Sequence, residues 1–254
     1  MKFRSYAISL LILMAVPFML SSETQAQLQP QPGHHGVSSD EAGVAHDHGA
    51  GHAAGSWEGS AEGIAYSEFN HRFVGFLVLL FGFAELSQVM QWSSALWARF
   101  VLPGALGVVG VFLLVWSDHE AWPIGSLSFV QTFFGEDLEI LQHKIYGILA
   151  AAAAPSETLR RIGWARHPAW AGPLIVLSIG GGLMLFAHSH GAHPAHEEIA
   201  FHHAIMGVTG VGAGVSRAIA TWMAGSSNRS ARAWEFVWAM LILLTGVELL
   251  VYSE

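Results

Sequence analysis

Apolar residues in this chain come in long unbroken runs rather than in the alternating or one-sided patterns of soluble strands and helices. Six such runs fall at about 70–91, 97–117, 138–156, 169–188, 202–223 and 232–253. As a helix rising about 1.5 Å per residue, each is long enough to cross a hydrocarbon core about 30 Å thick. The segments between them are short, so the pattern predicts an all-α fold, a six-helix transmembrane bundle over 67–254. Two stretches precede it. Residues 1–26 carry Lys2 and Arg4, then an apolar run over 7–20, then Thr24-Gln25-Ala26, the layout of a cleaved signal peptide. Residues 27–66 are rich in Gly, Ser, Gln, Pro and His without apolar periodicity, and read as a disordered, histidine-rich linker.

Composition strengthens the membrane reading. Of 254 residues, 52% are hydrophobic and only 12% charged, with a mean hydropathy of +0.43, too little charge to solvate a soluble domain of this size. Cysteine is absent, which removes disulfides, iron–sulfur clusters and thiolate metal sites and leaves imidazole, carboxylate and thioether as ligands. A net charge of −8 argues against nucleic acid as a partner.

Orientation follows from the basic residues. Arg99, Arg160, Arg161, Arg166, Arg229 and Arg232 fall at one side of the six runs, while the other side has only Arg72 and Lys144 at helix mouths. The bias of positive charge to the cytoplasmic side and the signal peptide agree on a multi-pass protein of a bacterial inner membrane, its mature N-terminus and C-terminus both periplasmic. All of the 15 histidines except His167 then lie on the outer side.

The runs also show a threefold pattern. His71, Gly75 and Glu85 in the first run recur at the same offsets as His143, Gly147 and Glu157 in the third, and as His203, Gly207 and Arg217 in the fifth. The even runs end in Trp116-Ser117-Asp118, Phe186-Ala187-His188 and Tyr252-Ser253-Glu254, with Gly110, Gly180 and Gly246 each eight residues before the last member. Three copies of a helical hairpin are expected, and a site where they meet. An offset of four keeps His and Gly on one face, leaving room beside the imidazole for a neighbouring helix or a cofactor. An offset of fourteen is about 21 Å along the axis and returns close to that face. If the hairpins share a centre, an outer polar layer contains His71, His143, His203, Asp118, His188 and Glu254, and an inner one Glu85, Glu157 and Arg217.

Three histidines at one depth suit a first-row transition metal, with carboxylates fixing their tautomers; taken one by one, each is better explained as a helix-mouth cap. The densest ligand cluster is the outer loop with His188, His190, His193 and His196, continuing into His202 and His203 with Met206 a turn below, and Asp118-His119-Glu120 facing it. His34, His35, His46, Asp47, His48 and His52 make the linker a metal-collecting tail, or a solvated tether. The inner charges are either an ion-paired latch between helices or a relay for protons or cations. Glu248 is a further costly carboxylate near the outer layer. Trp122-Pro123-Ile124-Gly125 with Phe129, Phe133 and Phe134 reads as an aromatic lid at the interface. Lys144 is expected to pair with Glu136, Asp137 or Glu139.

Through His71, His143, His203 and the 188–203 segment, the chain resembles bacterial copper-resistance membrane proteins of the D type. Those are polytopic, carry histidines at helix mouths and often accompany periplasmic copper carriers, so the resemblance implies copper and a periplasmic metal carrier as partner. The function expected is transition-metal binding, transport or homeostasis at a periplasm-facing histidine site, with copper favoured and zinc the other option. The alternative is a redox protein with one outer haem b held by two of His71, His143 and His203. An enzyme with a metal centre ranks last, because HExxH and similar signatures are absent. A structural subunit is a further reading.

Overall fold

The computed structural model describes residues 59–92, 96–187, 195–223 and 228–254. The signal-peptide and tail assignments, and His188, His190 and His193, lie outside them. Seven α-helices make up the described chain: α1 (Ala61–Val89), α2 (Val101–Val115), a short α3 (Phe129–Phe134), α4 (Leu138–Arg161), α5 (Gly172–Leu185), α6 (His196–Met223) and α7 (Asn228–Leu250). Helices α2 and α5 are each entered through a 3-10 turn, Leu96–Phe100 and Pro168–Ala171.

Local chemistry sets the helix ends. Ser60 caps α1 by accepting the Gly63 N–H at 3.1 Å, and Glu62 favours the positive end of the helix dipole. The start therefore falls at Ala61, ahead of the first long apolar run, because a cap and a good first turn extend a helix beyond its membrane-crossing part. Asp137 caps α4 through the Ile140 N–H at 3.0 Å. Gly163, at φ +81°, ends α4 with its N–H on the Arg160 carbonyl, a left-handed position that favours glycine.

Five helical stretches are long and apolar enough to cross a membrane: Ala61–Val89, Leu96–Val115, Pro168–Leu185, His196–Met223 and Arg229–Leu250. This corrects the expected six. The exception is α4, which is 24 residues long but carries Glu139, Lys144, Glu157, Arg160 and Arg161. Its apolar run is interrupted by charges whose partners lie on neighbouring helices, so it gains stability from the bundle rather than from lipid.

The long helices close into a ring: α1 packs on α2 and α7, α2 on α4, α4 on α5, α5 on α6, and α6 on α7. A core of Phe81, Leu102, Leu106, Ala153, Leu174 and Trp238 sits inside. Outside, Phe76, Phe83, Val111, Ile148, Val208 and Val247 are exposed. Exposed Trp92, Trp97, Trp164 and Trp222 lie at the end of the ring where Arg99 and Arg161 sit, and Trp116, Trp122, Phe129 and Phe134 at the other. Apolar flanks between two aromatic belts are the exterior of a multi-pass membrane protein.

Candidate functional site

At one end of the ring, α1, α2, α4, α6 and α7 each bring a polar residue to a common mouth. The link between α2 and α4 is built on Asp118. One carboxylate oxygen accepts from His143 Nδ1 at 2.6 Å and the other from Lys144 Nζ at 2.8 Å. Lys144 is 0% exposed and also donates to the Leu113 carbonyl at 3.1 Å. Its partner is thus Asp118 rather than the expected Glu136, Asp137 or Glu139. Asp137 is committed to the helix cap, whereas a lysine pointing inward from α4 reaches the end of α2. Burial pushes the Asp118 carboxyl up, but the His143 ring and the Lys144 ammonium outweigh burial and hold it below its ordinary value. Asn70 donates to the Ser117 carbonyl at 3.0 Å and Tyr66 donates to that of Trp116, tying α1 to the same corner.

Across the mouth, His71 and His203 form a second cluster around Tyr252. The His71 ring stacks on Tyr252 with centroids 3.8 Å apart, and lies 6.1 Å from the ring of His203. His203 is 2% exposed, and His202 approaches Tyr252 edge-on at 5.7 Å. His71 Nδ1 sits 2.9 Å from the Ser67 carbonyl, which only accepts, so this nitrogen carries the proton and Nε2 the lone pair. His143 likewise turns its Nδ1 to a carboxylate. Glu254 accepts from Ser67 at 2.5 Å and from the Tyr252 hydroxyl at 2.7 Å. Burial, with Glu254 beside it, raises the Tyr252 phenol, which stays a donor.

His71, His143, His203, Asp118, His119 and Glu254 all line one cavity of about 320 Å³. The structure thus gathers two groups, His143 with Asp118 and His71 with His203, around a single opening. Among the described residues no three His, Asp or Glu side chains form a ready-made ligand set for one ion. His119 is exposed, 3.6 Å from Glu120, and His196 is exposed at the start of α6. Glu248 stays outside the cavity lining and accepts from Thr209 at 3.1 Å.

The glycines beside the histidines are taken up by helices. A Cβ on Gly75 would stand 2.8 Å from Leu249 Cβ and 3.1 Å from the Gly246 carbonyl. One on Gly110 would meet the Ala151 N at 2.8 Å and the Gly147 carbonyl at 3.1 Å, and one on Gly207 the Gly182 carbonyl at 2.9 Å. Each of these contacts joins two helices whose chain connection runs on the histidine side or, for α1 and α7, the first and last of the ring.

The inner charges form one network at the opposite end. Arg161 reaches Glu85 at 2.9 Å and Glu157 at 3.5 Å, Arg217 reaches Glu157 at 3.4 Å, and Arg160 also pairs with Glu157. Arg161 further donates to the Arg99 carbonyl at 2.6 Å, and Arg99 returns the bond to the Arg161 carbonyl. Arg217 lies 5.7 Å over the Trp238 ring, and Trp238 lines the cavity.

Sequence reasoning missed Tyr252 as the residue joining His71, His202 and His203, although its place beside Glu254 in the repeated helix end was a signal. It also passed over Trp238, which carries no polar pattern to mark it. The chain matches no family model, no curated protein and no solved structure.

Proposed function

We propose that this protein captures and holds a transition-metal ion, copper or failing that zinc, at the histidine mouth, with that mouth facing the periplasm across a bacterial inner membrane. The observation that carries the reading is the convergence of His71, His143 and His203, with Asp118 and Glu254, on one cavity opening. Two of these imidazoles have Nδ1 bonded to oxygen acceptors, which orients Nε2 as a ligand in the way that outer hydrogen bonds fix metal-binding histidines. An ion with nitrogens about 2 Å away on either side sets two ring centroids on the order of 6 Å apart, and His71 and His203 stand at 6.1 Å. The described His119, His196 and His202 would collect the ion at the rim, with His188, His190 and His193 of the intervening sequence as further ligands, and a periplasmic carrier would deliver it.

Capture is favoured over passage. Below the mouth the cavity walls are mainly apolar, with Tyr146, Ser178 and Thr245 as neutral hydroxyls and no carboxylate among them, so a bare ion loses its hydration without an anionic replacement, and the Glu85–Arg161–Glu157–Arg217 network stands at the far end as a latch. Arginines at that end support placing it in the cytoplasm, and the glycine contacts between α1 and α7, α2 and α4, and α5 and α6 support a threefold origin of the ring. A haem b between His71 and His203 has the same ring spacing in its favour, but the grooves at Gly75 and Gly207 are filled by Leu249, Phe186 and Gly182.

The test is the metal content and visible spectrum of the detergent-purified chain beside a His71→Ala/His143→Ala/His203→Ala variant. Copper or zinc that drops by about one ion per chain in the variant is the expected result. A Soret band would replace the ion with haem, and equal metal in both proteins would overturn the reading.

A further inference from the structure

His71 and His203 share their part of the mouth with a thioether. Met206 follows His203 by three residues on α6, so the two side chains stand on one helix face, a turn apart. Met206 is 3% exposed and lines the same cavity as both imidazoles. Tyr252 backs the pair, its ring 3.8 Å from that of His71 and 5.8 Å from that of His203. With metal–nitrogen bonds of about 2 Å, two imidazole centroids stand about 6.3 Å apart across a straight N–metal–N unit and about 5 Å apart across a tetrahedral one. The observed 6.1 Å fits the straight arrangement.

Charge and ligand type narrow the ion. Asp118 is taken up by His143 and Lys144, and Glu254 by Ser67 and Tyr252. Glu120 and Glu139 line the α2–α4 side of the mouth and draw cations toward it. Among the described residues, α1 and α6 bring no carboxylate to the lining, so the donors they offer an ion are neutral. The cost of burying an ion rises with the square of its charge, so among neutral ligands a monovalent ion costs about a quarter of what a divalent ion of equal size does. Zinc also takes four ligands, whereas no three His, Asp or Glu side chains among the described residues form a set. Thioether sulfur is a soft donor that selects the cuprous ion. We infer, on the metal-binding reading of the mouth, that the ion held there is Cu(I), with His71, His203 and Met206 as its ligands. His143, tied to Asp118 across the opening, serves the approach.

The test loads the purified full chain in detergent with copper kept reduced by ascorbate under nitrogen, in competition with the cuprous chelator bathocuproine disulfonate, and in parallel with Cu(II) and with Zn(II). The expected result is one Cu(I) per chain that resists the chelator and is lost in His71→Ala/His203→Ala, with X-ray absorption showing a sulfur neighbour at that copper. Met206→Leu keeps the side-chain volume; it should weaken Cu(I) binding about tenfold or more and remove the sulfur neighbour, while His143→Ala keeps both. If Met206→Leu does not fold, the sulfur neighbour in the unaltered chain decides. Cu(II) or Zn(II) held at the mouth more tightly than Cu(I), or Cu(I) held there without a sulfur neighbour, would overturn the inference and leave the mouth a metal site. Equal binding of all three ions by the chain and its His71→Ala/His203→Ala variant would overturn the metal-binding reading, and the inference with it.

Discussion

Asp118 is the residue on which the histidine mouth depends, since its two oxygens hold His143 at 2.6 Å and Lys144 at 2.8 Å. Removing it leaves a lysine that is 0% exposed without its anion, and breaking one side of a buried pair costs about 3–5 kcal/mol. Asp118→Ala should therefore lower the thermal midpoint in detergent, and an unchanged midpoint would show that Lys144 finds water. The pH dependence has a definite sign. The folded Asp118 carboxyl lies below its unfolded value of about 3.9, so its contribution is complete above that pH and is lost as pH falls through the lower folded value. An acid titration of stability should steepen in that window for the unaltered chain and flatten in Asp118→Asn. Residue by residue, the sequence made the polar positions legible, because a histidine or carboxylate in an apolar run must be explained. It did not reveal their pairings. Lys144 turns inward to Asp118 of another helix, and no local spacing encodes which of several carboxylates a long side chain reaches.

At the scale of helices, close approach is set by glycines rather than by large side chains. At Gly110 an added Cβ would stand 2.8 Å from the backbone N of Ala151, and backbone cannot rotate aside as a side chain can. Gly110→Ala should thus separate α2 from α4 at a cost of about 1–3 kcal/mol, seen as a lower unfolding midpoint; no change would mean that the two helices slide freely. The same contact shows why the His–Gly spacing was ambiguous in the sequence. A glycine one turn from a histidine opens a groove, and whether a helix or a cofactor fills it depends on partners distant in the chain. The spans were legible from unbroken apolar runs. The polar α4 was misjudged because a run of alanines around Pro155 reads as apolar while Lys144 and Glu157 within the same helix are satisfied only by tertiary partners.

For the whole molecule, the ring of helices separates a polar mouth from a charged floor by an apolar chamber. The floor centres on Glu157, which answers three arginines. Glu157→Gln leaves Arg160, Arg161 and Arg217 facing one another with only Glu85 to offset them. It should destabilise the fold by about 3 kcal/mol or more, measured by thermal unfolding, with the metal content at the mouth unchanged; loss of metal instead would tie the floor to the site. The central claim is that the mouth binds one ion through its own imidazoles, and equilibrium dialysis against copper and against zinc addresses it most directly. The chain with all its histidines and the His71→Ala/His143→Ala/His203→Ala variant share the other 12 histidines, so the difference at saturation belongs to the mouth. The account predicts one ion fewer per chain in the variant, for at least one of the two metals. Equal saturation for both metals would contradict it.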